Sequence, residues 1–220
     1  VTVNGDPLFD NARLIADTEW HSPVVERFTG GRSIFIAGSI HPGEDLEMTA
    51  ALANRHRDVP FIIVPHEISE GTLRTLESHL EGGSRRLSQC DETTDFCGVQ
   101  SLIVDSVGSL AYLYRYGTWA YVGGGFSRLL HSVIEPVVYG LPVAFGPQIF
   151  RKVTPLEMIE LGIGEKVEDV DSLDNWFSHL KDDERLLADI QSRARTYIKR
   201  NAGATPRVVD AIISAVCRRK

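Results

Sequence analysis

Three histidines lie close to the ends of short apolar runs, where side chains of this type could hold a ligand. His41 and His66 each follow such a run within a few residues, and His131 comes soon after another. Imidazole groups donate hydrogen bonds, so the three could hold a phosphate or a sugar carboxylate. A single histidine is more often a filler of the surface or the core, but three at similar places favour an anion site.

Gly123, Gly124 and Gly125 form the strongest local signal. Glycines after an apolar run let the backbone approach a ligand closely. A helix predicted to begin at His131 would then direct free N–H groups and the positive end of its dipole at an anion. The alternative is a flexible connection between a strand and a helix. The run is not a Walker loop, since no Gly-Lys-Ser/Thr follows, and it lacks the G-x-G-x-x-G spacing of dinucleotide sites.

Other polar residues near these points have two interpretations each. Glu135, one turn inside the predicted helix, could accept both hydroxyls of a ribose or merely complement the helix dipole. Ser39 and Ser106 could donate hydroxyl groups to a ligand or only cap helices. Arg128 and Lys152 could add positive charge to an anion site or be solvated.

The elements that would position these residues alternate along the chain. Strands are predicted at 33–38, 61–64, 85–90, 102–104, 119–122, 141–145 and 163–167. Helices are predicted at 42–57, 69–80, 107–116, 131–139 and 154–161, and the chain from Ser172 to Lys220 is helical throughout. This alternation predicts an α/β fold with a doubly wound, Rossmann-like parallel sheet and a helical C-terminal segment.

In such a sheet the carboxyl ends of the strands share one edge, where ligands bind, so the polar clusters should converge there. Residues 1–30 fit the alternation poorly. They are predicted to be a segment derived from an interdomain linker and packed on a nucleotide-sugar-binding domain formed by residues 31–220. Because the sequence begins at Val1 without Met, we expect it to be part of a longer protein.

Composition excludes several classes of protein. The net charge of −7 and a pI of about 5.5 argue against a general nucleic-acid binder, which needs a basic surface. Cys90, Cys97 and Cys217 give neither a disulfide framework nor a common zinc pattern, which indicates a cytosolic protein. No stretch approaches the roughly 20 apolar residues of a membrane span.

Motifs for several kinds of chemistry are missing as well. The sequence contains neither the G-x-S-x-G motif of a nucleophile nor H-E-x-x-H, and no Asp-x-Asp pair for a metal-bound diphosphate lies near a strand end. The sequence therefore predicts binding of an anionic nucleotide with no metal ion and no cofactor.

Together the motifs resemble the C-terminal domain of bacterial 3-deoxy-D-manno-octulosonic acid (Kdo) transferases. Residues 3–10 (VNGDPLFD) resemble the GDTRFDR segment that follows the interdomain crossover, and residues 37–44 (AGSIHPGE) resemble the GSTHPGE motif. Residues 65–67 (PHE) match a variant of the PRH motif. Residues 121–136 resemble VGGG…HNxLEP, and residues 139–147 (YGLPVAFGP) are similar to FGLPVLFGP. Order and spacing hold over almost the whole chain, so the joint match is specific.

The resemblance implies a GT-B fold, in which two Rossmann-like domains face each other across a cleft and this chain is the donor side. It implies transfer of Kdo from CMP-Kdo to a lipid A precursor, with inversion and release of CMP, in lipopolysaccharide biosynthesis. The full-length enzyme would work at the cytoplasmic face of the bacterial inner membrane. Its general base, a glutamate, its acceptor surface and its membrane anchor would lie in an N-terminal domain. This chain would then be soluble, bind CMP-Kdo or CMP, and be inactive alone.

The resemblance also implies roles for individual residues. Ser39, His41 and the Gly123–Gly125 loop would contact CMP or its phosphate, Glu135 would hold the ribose, and His131 would stand beside the phosphate. The full set of implied donor-binding residues is Ser39, His41, His66, Gly123, Gly124, Gly125, His131, Ser132, Glu135 and Gln148.

Three of these positions depart from the family pattern. Ser132, which would also stand beside the phosphate, replaces the usual Asn, His66 replaces the Arg of many members, and Gln148 stands where many members carry His or Asn. Two alternatives remain open. The chain could belong to another GT-B enzyme, such as a UDP-sugar transferase or a UDP-GlcNAc 2-epimerase, or it could be a non-catalytic nucleotide-binding or protein-interaction module.

Overall fold

Seven strands form one sheet at the centre of the domain, and every neighbouring pair runs parallel. The computed structural model describes residues 3–127, 129–149 and 152–217. The strands are β1 (Phe35–Ile40), β2 (Phe61–Pro65), β3 (Ser84–Arg86), β4 (Ser101–Ile103), β5 (Trp119–Val122), β6 (Val143–Phe145) and β7 (Gly164–Lys166). The predicted parallel α/β sheet is therefore confirmed.

The strand order across the sheet is β3-β4-β2-β1-β5-β6-β7. On one side of β1 lie β2, β4 and β3, with β3 at the edge. On the other side of β1 lie β5, β6 and β7, with β7 at the edge. The order therefore reverses between β1 and β5, and in open α/β sheets such a reversal opens a crevice at the carboxyl ends of the two strands.

Helices cover both faces of the sheet. They are α1 (Pro7–Asp17), α2 (Pro23–Thr29), α3 (Glu44–Arg55), α4 (Glu70–His79), α5 (Leu110–Leu113), α6 (Ile134–Val138), α7 (Val153–Glu160), α8 (Val170–Asp182), α9 (Glu184–Asn201) and α10 (Ala204–Cys217). Side chains before several of them accept hydrogen bonds from first-turn N–H groups, as N-caps do. The caps are Asp6, Ser22, Ser69, Asp169 and Asp183.

Alternate residues of the strands enter two separate cores, as the twofold repeat of a strand requires. Ile36 and Ile62 pack with α1, α2, α5, α6, α7 and the second half of α9 on one face. Phe35 and Phe61 pack with α3, α4 and α8 on the other. All four side chains are fully buried. The sheet is therefore packed on both faces, and this packing positions the edge where the polar clusters lie.

The first 30 residues contribute α1 and α2 to the first of these cores. Phe9, Ala12, Val25 and Phe28 are buried there. Asp10 ties this segment to the end of the chain, because its carboxylate accepts hydrogen bonds from backbone N–H groups that precede and begin α10. Whether the segment derives from an interdomain linker stays a prediction.

Several predicted elements are shorter in the structure. The helix predicted at 131–139 begins only at Ile134 and has five residues. The helix predicted at 107–116 divides into α5 and a 3₁₀ turn at Tyr114–Tyr116, and the strand predicted at 85–90 gives way to a 3₁₀ turn at Leu87–Gln89. The predictions that involved Val1, Arg128 and Arg218 concern positions outside the described residues.

None of the helices in the described ranges combines the length and the apolar composition that crossing a lipid bilayer requires.

Candidate functional site

The loops that follow β1, β2, β5 and β6 meet at the carboxyl edge of the sheet, and we call this edge the rim. Its tightest part is the turn after β5. Gly124 has a φ of +86°, a conformation that side chains rarely adopt. A Cβ atom at Gly123 would collide with the carbonyl oxygen of Ser39, and one at Gly125 with the backbone of Gly146. The three glycines therefore let three loops of the rim pack backbone against backbone.

A buried carboxylate that the sequence did not single out holds this arrangement together. Asp45, in the first turn of α3, is only 2% exposed. Its two oxygens accept hydrogen bonds from the Gly124 N–H at 2.7 Å, the Tyr121 hydroxyl at 2.6 Å and the His41 N–H at 3.3 Å. Its position four residues after His41 was the available signal, because a first-turn side chain can reach back to the strand end.

The buried hydroxyl that binds Asp45 stays protonated. Burial raises the pKa of Tyr121 well above its usual range, and the negative charge of Asp45 acts in the same direction. The phenol therefore donates to the carboxylate at any ordinary pH.

The three predicted histidines lie together on the rim. The Nε2 atoms of His41 and His131 are 2.8 Å apart, a hydrogen bond in which one ring donates and the other accepts. The rings of His41 and His66 stack with centroids 4.2 Å apart, and the centroids of His66 and His131 are 4.7 Å apart. The three residues follow β1, β2 and β5, which are neighbours in the sheet, so the strand order brings them together.

Two of these rings are uncharged at neutral pH. Burial, followed by repulsion from His66 and His41, lowers the pKa of His131 to about 4. Burial, followed by repulsion from His66, lowers the pKa of His41. In this state the rings can interact with an anion as hydrogen-bond donors but not as cations.

Glu135 lies in the first turn of α6 with its carboxyl group largely removed from solvent. Burial raises the pKa of Glu135, and a hydrogen bond from the Ser132 side chain partly opposes this effect. Tyr114 is fully buried and lies close to Glu135. Burial is the main cause that raises the pKa of Tyr114, and the negative charge of Glu135 is the second. A carboxylate in such a place gains from additional hydrogen-bond donors, such as the hydroxyls of a ligand.

An open pocket of about 330 Å³ lies against the segment before α6. Among the predicted residues, His131 and Ser132 line it. Lys152 also lines it and donates a hydrogen bond to the carbonyl oxygen of Leu130. Asp6 and Thr154 contribute polar groups that the sequence did not indicate. Glu135 does not line the pocket itself. It lies next to Ser132, which does.

The helix start itself differs from the prediction. The N–H of His131 donates to the carbonyl oxygen of Gly123 at 3.2 Å, so it is not free for a ligand. Because α6 has only five residues, few peptide dipoles add up at its N-terminus. The expectation of free N–H groups is therefore corrected at His131 itself, and the helix begins three residues later than predicted.

The remaining predicted residues lie at the same rim. Ser39 has a φ of +55° and sits where the pairing of β1 with β2 shifts register. Gln148 is exposed, and its N–H donates to the carbonyl oxygen of Gly125 at 2.7 Å. All ten residues thus belong to one connected group. Ser39 lies against Gly123, and the three histidines contact one another. The Ser132 side chain donates a hydrogen bond to Glu135. Their individual roles in binding stay predictions.

The all-parallel sheet, the helices on both faces and the helical C-terminal segment define a Rossmann-like domain with the fold that GT-B enzymes share. One solved structure with this fold is the C-terminal CMP-Kdo binding domain of WaaA from Acinetobacter baumannii. It is 20% identical to this chain with a TM-score of 0.66, and the match covers 87% of this chain and 98% of that one. No family model matches the sequence.

Sequence relatives give the more particular relationship. The 3-deoxy-D-manno-octulosonic acid transferase of Chlamydia muridarum (strain MoPn / Nigg) is 28% identical over 78% of this chain, and that of Bordetella pertussis is 27% identical over 96%. These matches cover 40% and 51% of the two relatives, so the chain spans about half their length. The chain is thus similar in sequence to about half of each of these Kdo transferases, which confirms the resemblance seen in its motifs.

Proposed function

We propose that this chain is the donor-binding half of a Kdo transferase and that its rim binds the CMP part of CMP-Kdo. The relatives that carry the name Kdo transferase support this assignment, as does the similarity to a domain described as CMP-Kdo binding. The observation that carries it is the group of His41, His66 and His131 beside the glycine turn, at the point where the strand order reverses.

The proposed contacts follow from the chemistry of each group. One of the uncharged imidazoles of His41 and His131 donates to the other, so the accepting ring, whose own N–H is on Nδ1, is the one that donates to a phosphate oxygen. The ammonium of Lys152 lies near enough to His131 to influence its pKa and adds positive charge. Ser132 stands between the pocket and Glu135. The carboxylate of Glu135 accepts the hydroxyls of the ribose, which satisfies an acid that is otherwise poorly solvated.

The chemical step in the full-length protein would be transfer of Kdo to a lipid A precursor. As the bond between Kdo and the phosphate breaks, negative charge grows on the departing CMP. Donors already aimed at that phosphate stabilise the charge without having to reorganise. A glutamate in an N-terminal domain would deprotonate the acceptor hydroxyl, and that domain would hold the protein at the cytoplasmic face of the bacterial inner membrane. The chain by itself would bind CMP and turn nothing over.

Calorimetric titration of the chain with CMP, UMP and UDP tests the proposal. We expect CMP to bind at least tenfold more tightly than UMP or UDP. Glu135→Ala should weaken CMP binding at least tenfold, or about 1.4 kcal/mol. Glu160→Ala, which removes an exposed acid from the neighbouring α7, is the matched control and should leave binding unchanged.

The other results are equally informative. Tighter binding of UDP than of CMP would contradict the assignment and support a UDP-sugar enzyme. No binding of any nucleotide would support a module without a catalytic role. Unchanged affinity in Glu135→Ala would remove the ribose contact from the proposal.

A further inference from the structure

His41, His66 and His131 form a group with a chemistry of its own. Their candidate ligand nitrogens all lie within 4.8 Å of one another, and in the described part of the chain no other set of three or more His, Cys, Asp or Glu residues meets this condition. Each histidine comes from a different loop, after three strands that are adjacent in the sheet. The order of the strands in the sheet therefore determines where the Cα atoms of the three histidines lie.

The spacing of the nitrogens is close to what a metal ion needs. Two imidazole nitrogens bound to one tetrahedral Zn²⁺ at about 2.0–2.1 Å are themselves about 3.3 Å apart. The Nε2 atoms of His41 and His131 are 2.8 Å apart, so an ion between them would replace their hydrogen bond with a small separation of the rings. His66 is exposed, and its ring stacks on that of His41, which keeps its ligand nitrogen within 4.8 Å of the other two.

A carboxylate lies beside the group. Asp45, which is 2% exposed, accepts a hydrogen bond from the His41 N–H at 3.3 Å. A negative charge this close to the three rings favours a bound cation.

We propose that His41, His66 and His131 bind one divalent transition-metal ion of the Zn²⁺ type, with at least one coordination position left open to an oxygen ligand. The sequence predicted no metal site, because the residues are 25 and 65 positions apart and match no spacing motif. Nitrogen ligands select Zn²⁺, Co²⁺ or Ni²⁺ over Mg²⁺, which prefers oxygen. A bound metal ion would occupy nitrogens of His41 and His131 that the proposed function gives to the phosphate, so the metal ion and a direct phosphate contact are alternatives at these side chains.

Calorimetry on chelator-stripped chain, titrated with ZnCl₂ at pH 7.5, measures the site directly. We expect one Zn²⁺ per chain with a dissociation constant below about 100 μM, and no heat from MgCl₂. His66→Ala and His131→Ala should each weaken Zn²⁺ binding at least tenfold. Because His66 is exposed, its removal leaves the fold intact, which circular dichroism checks. Co²⁺ should give the intense visible absorption of a four-coordinate ion.

Matched controls separate this site from other possible ligands. His21→Ala and His79→Ala remove exposed histidines elsewhere, and Cys90→Ser with Cys97→Ser removes the two nearby thiols. All should leave Zn²⁺ binding unchanged. Binding that survives His66→Ala and His131→Ala, equal binding of Mg²⁺, or no binding below about 100 μM would each overturn the proposal. CMP titrations in chelator test the proposed function separately, so either one can fail while the other stands.

Discussion

Two carboxylates have different surroundings: Asp45 lies at the glycine turn, and Glu135 lies in the first turn of α6. Asp45 accepts hydrogen bonds from two backbone N–H groups and one phenol, all supplied by the chain itself. Among the residues that the structure describes, Glu135 has one neighbouring donor, the Ser132 side chain, and burial raises the pKa of Glu135. A carboxylate whose donors come from the chain holds the backbone in place, whereas one that is buried with few donors is suited to receive a ligand. The comparison therefore separates the residue that builds the rim from the residue that we expect to use it.

The largest expected effect is on stability, at Asp45. Asp45→Ala would leave the N–H of Gly124 and the hydroxyl of Tyr121 buried without an acceptor, at about 1–3 kcal/mol for each group. We expect the free energy of unfolding, from urea denaturation, to fall by about 3 kcal/mol more than in Glu47→Ala. Glu47 is an exposed acid in the same first turn, so effects on the helix dipole cancel. A difference below about 0.5 kcal/mol would show that Asp45 is not the anchor of the turn.

A smaller loss of stability is expected at Gly124. Gly124→Ala would combine an unfavourable positive φ with a collision between the new Cβ and the carbonyl oxygen of Leu129. Gly43 has a similar φ of +91°, but a Cβ added there would meet no atom within 4 Å, so Gly43→Ala isolates the cost of the backbone conformation. We expect Gly43→Ala to cost about 1 kcal/mol and Gly124→Ala about 2–3 kcal/mol in the same urea assay. Equal losses would mean that the turn can relax around a side chain.

The smallest expected effect is a gain in stability at Glu135. Since its pKa is raised in the folded chain, the folded state binds the proton more tightly than the unfolded state, and the stability contribution of Glu135 is lost as pH rises above its usual value of 4.5. Glu135→Gln removes this titration. We expect the variant to have a Tm about 2 °C above that of the parent chain at pH 8, with the gap closing toward pH 4. A constant gap across this range would contradict the electrostatic explanation.

Most of the fold could be predicted from sequence, because apolar runs followed by glycine or proline mark buried parallel strands. β1, β2 and β5 were each located to within a few residues. The short elements were predicted less well. Helix α6 begins three residues later than expected, since the chain from Leu129 to Val133 first has to cross from the glycine turn to the helix and uses the His131 N–H for that crossing.

The sequence predicted which residues belong to the candidate site better than it predicted how they contact one another. Strand-end positions and family motifs identified His41, His131 and Glu135. The structure brings the two histidines into contact and places Glu135 next to Ser132. The role of Asp45 was not predictable from pattern alone, because it depends on Gly124 lying 79 residues away in sequence and next to it in space. The grouping of three imidazoles likewise depends on strand order, which a single sequence does not state.

The central claim is that Glu135 grips the ribose of a cytidine nucleotide, and a thermodynamic cycle tests it most directly. CMP and 2′-deoxy-CMP are titrated by calorimetry into the parent chain and into Glu135→Ala. We predict that the parent chain binds CMP at least tenfold more tightly than 2′-deoxy-CMP, a coupling of about 1.4 kcal/mol, and that Glu135→Ala binds both nucleotides equally. If the variant still discriminates between the two nucleotides as strongly as the parent chain does, Glu135 does not hold the sugar.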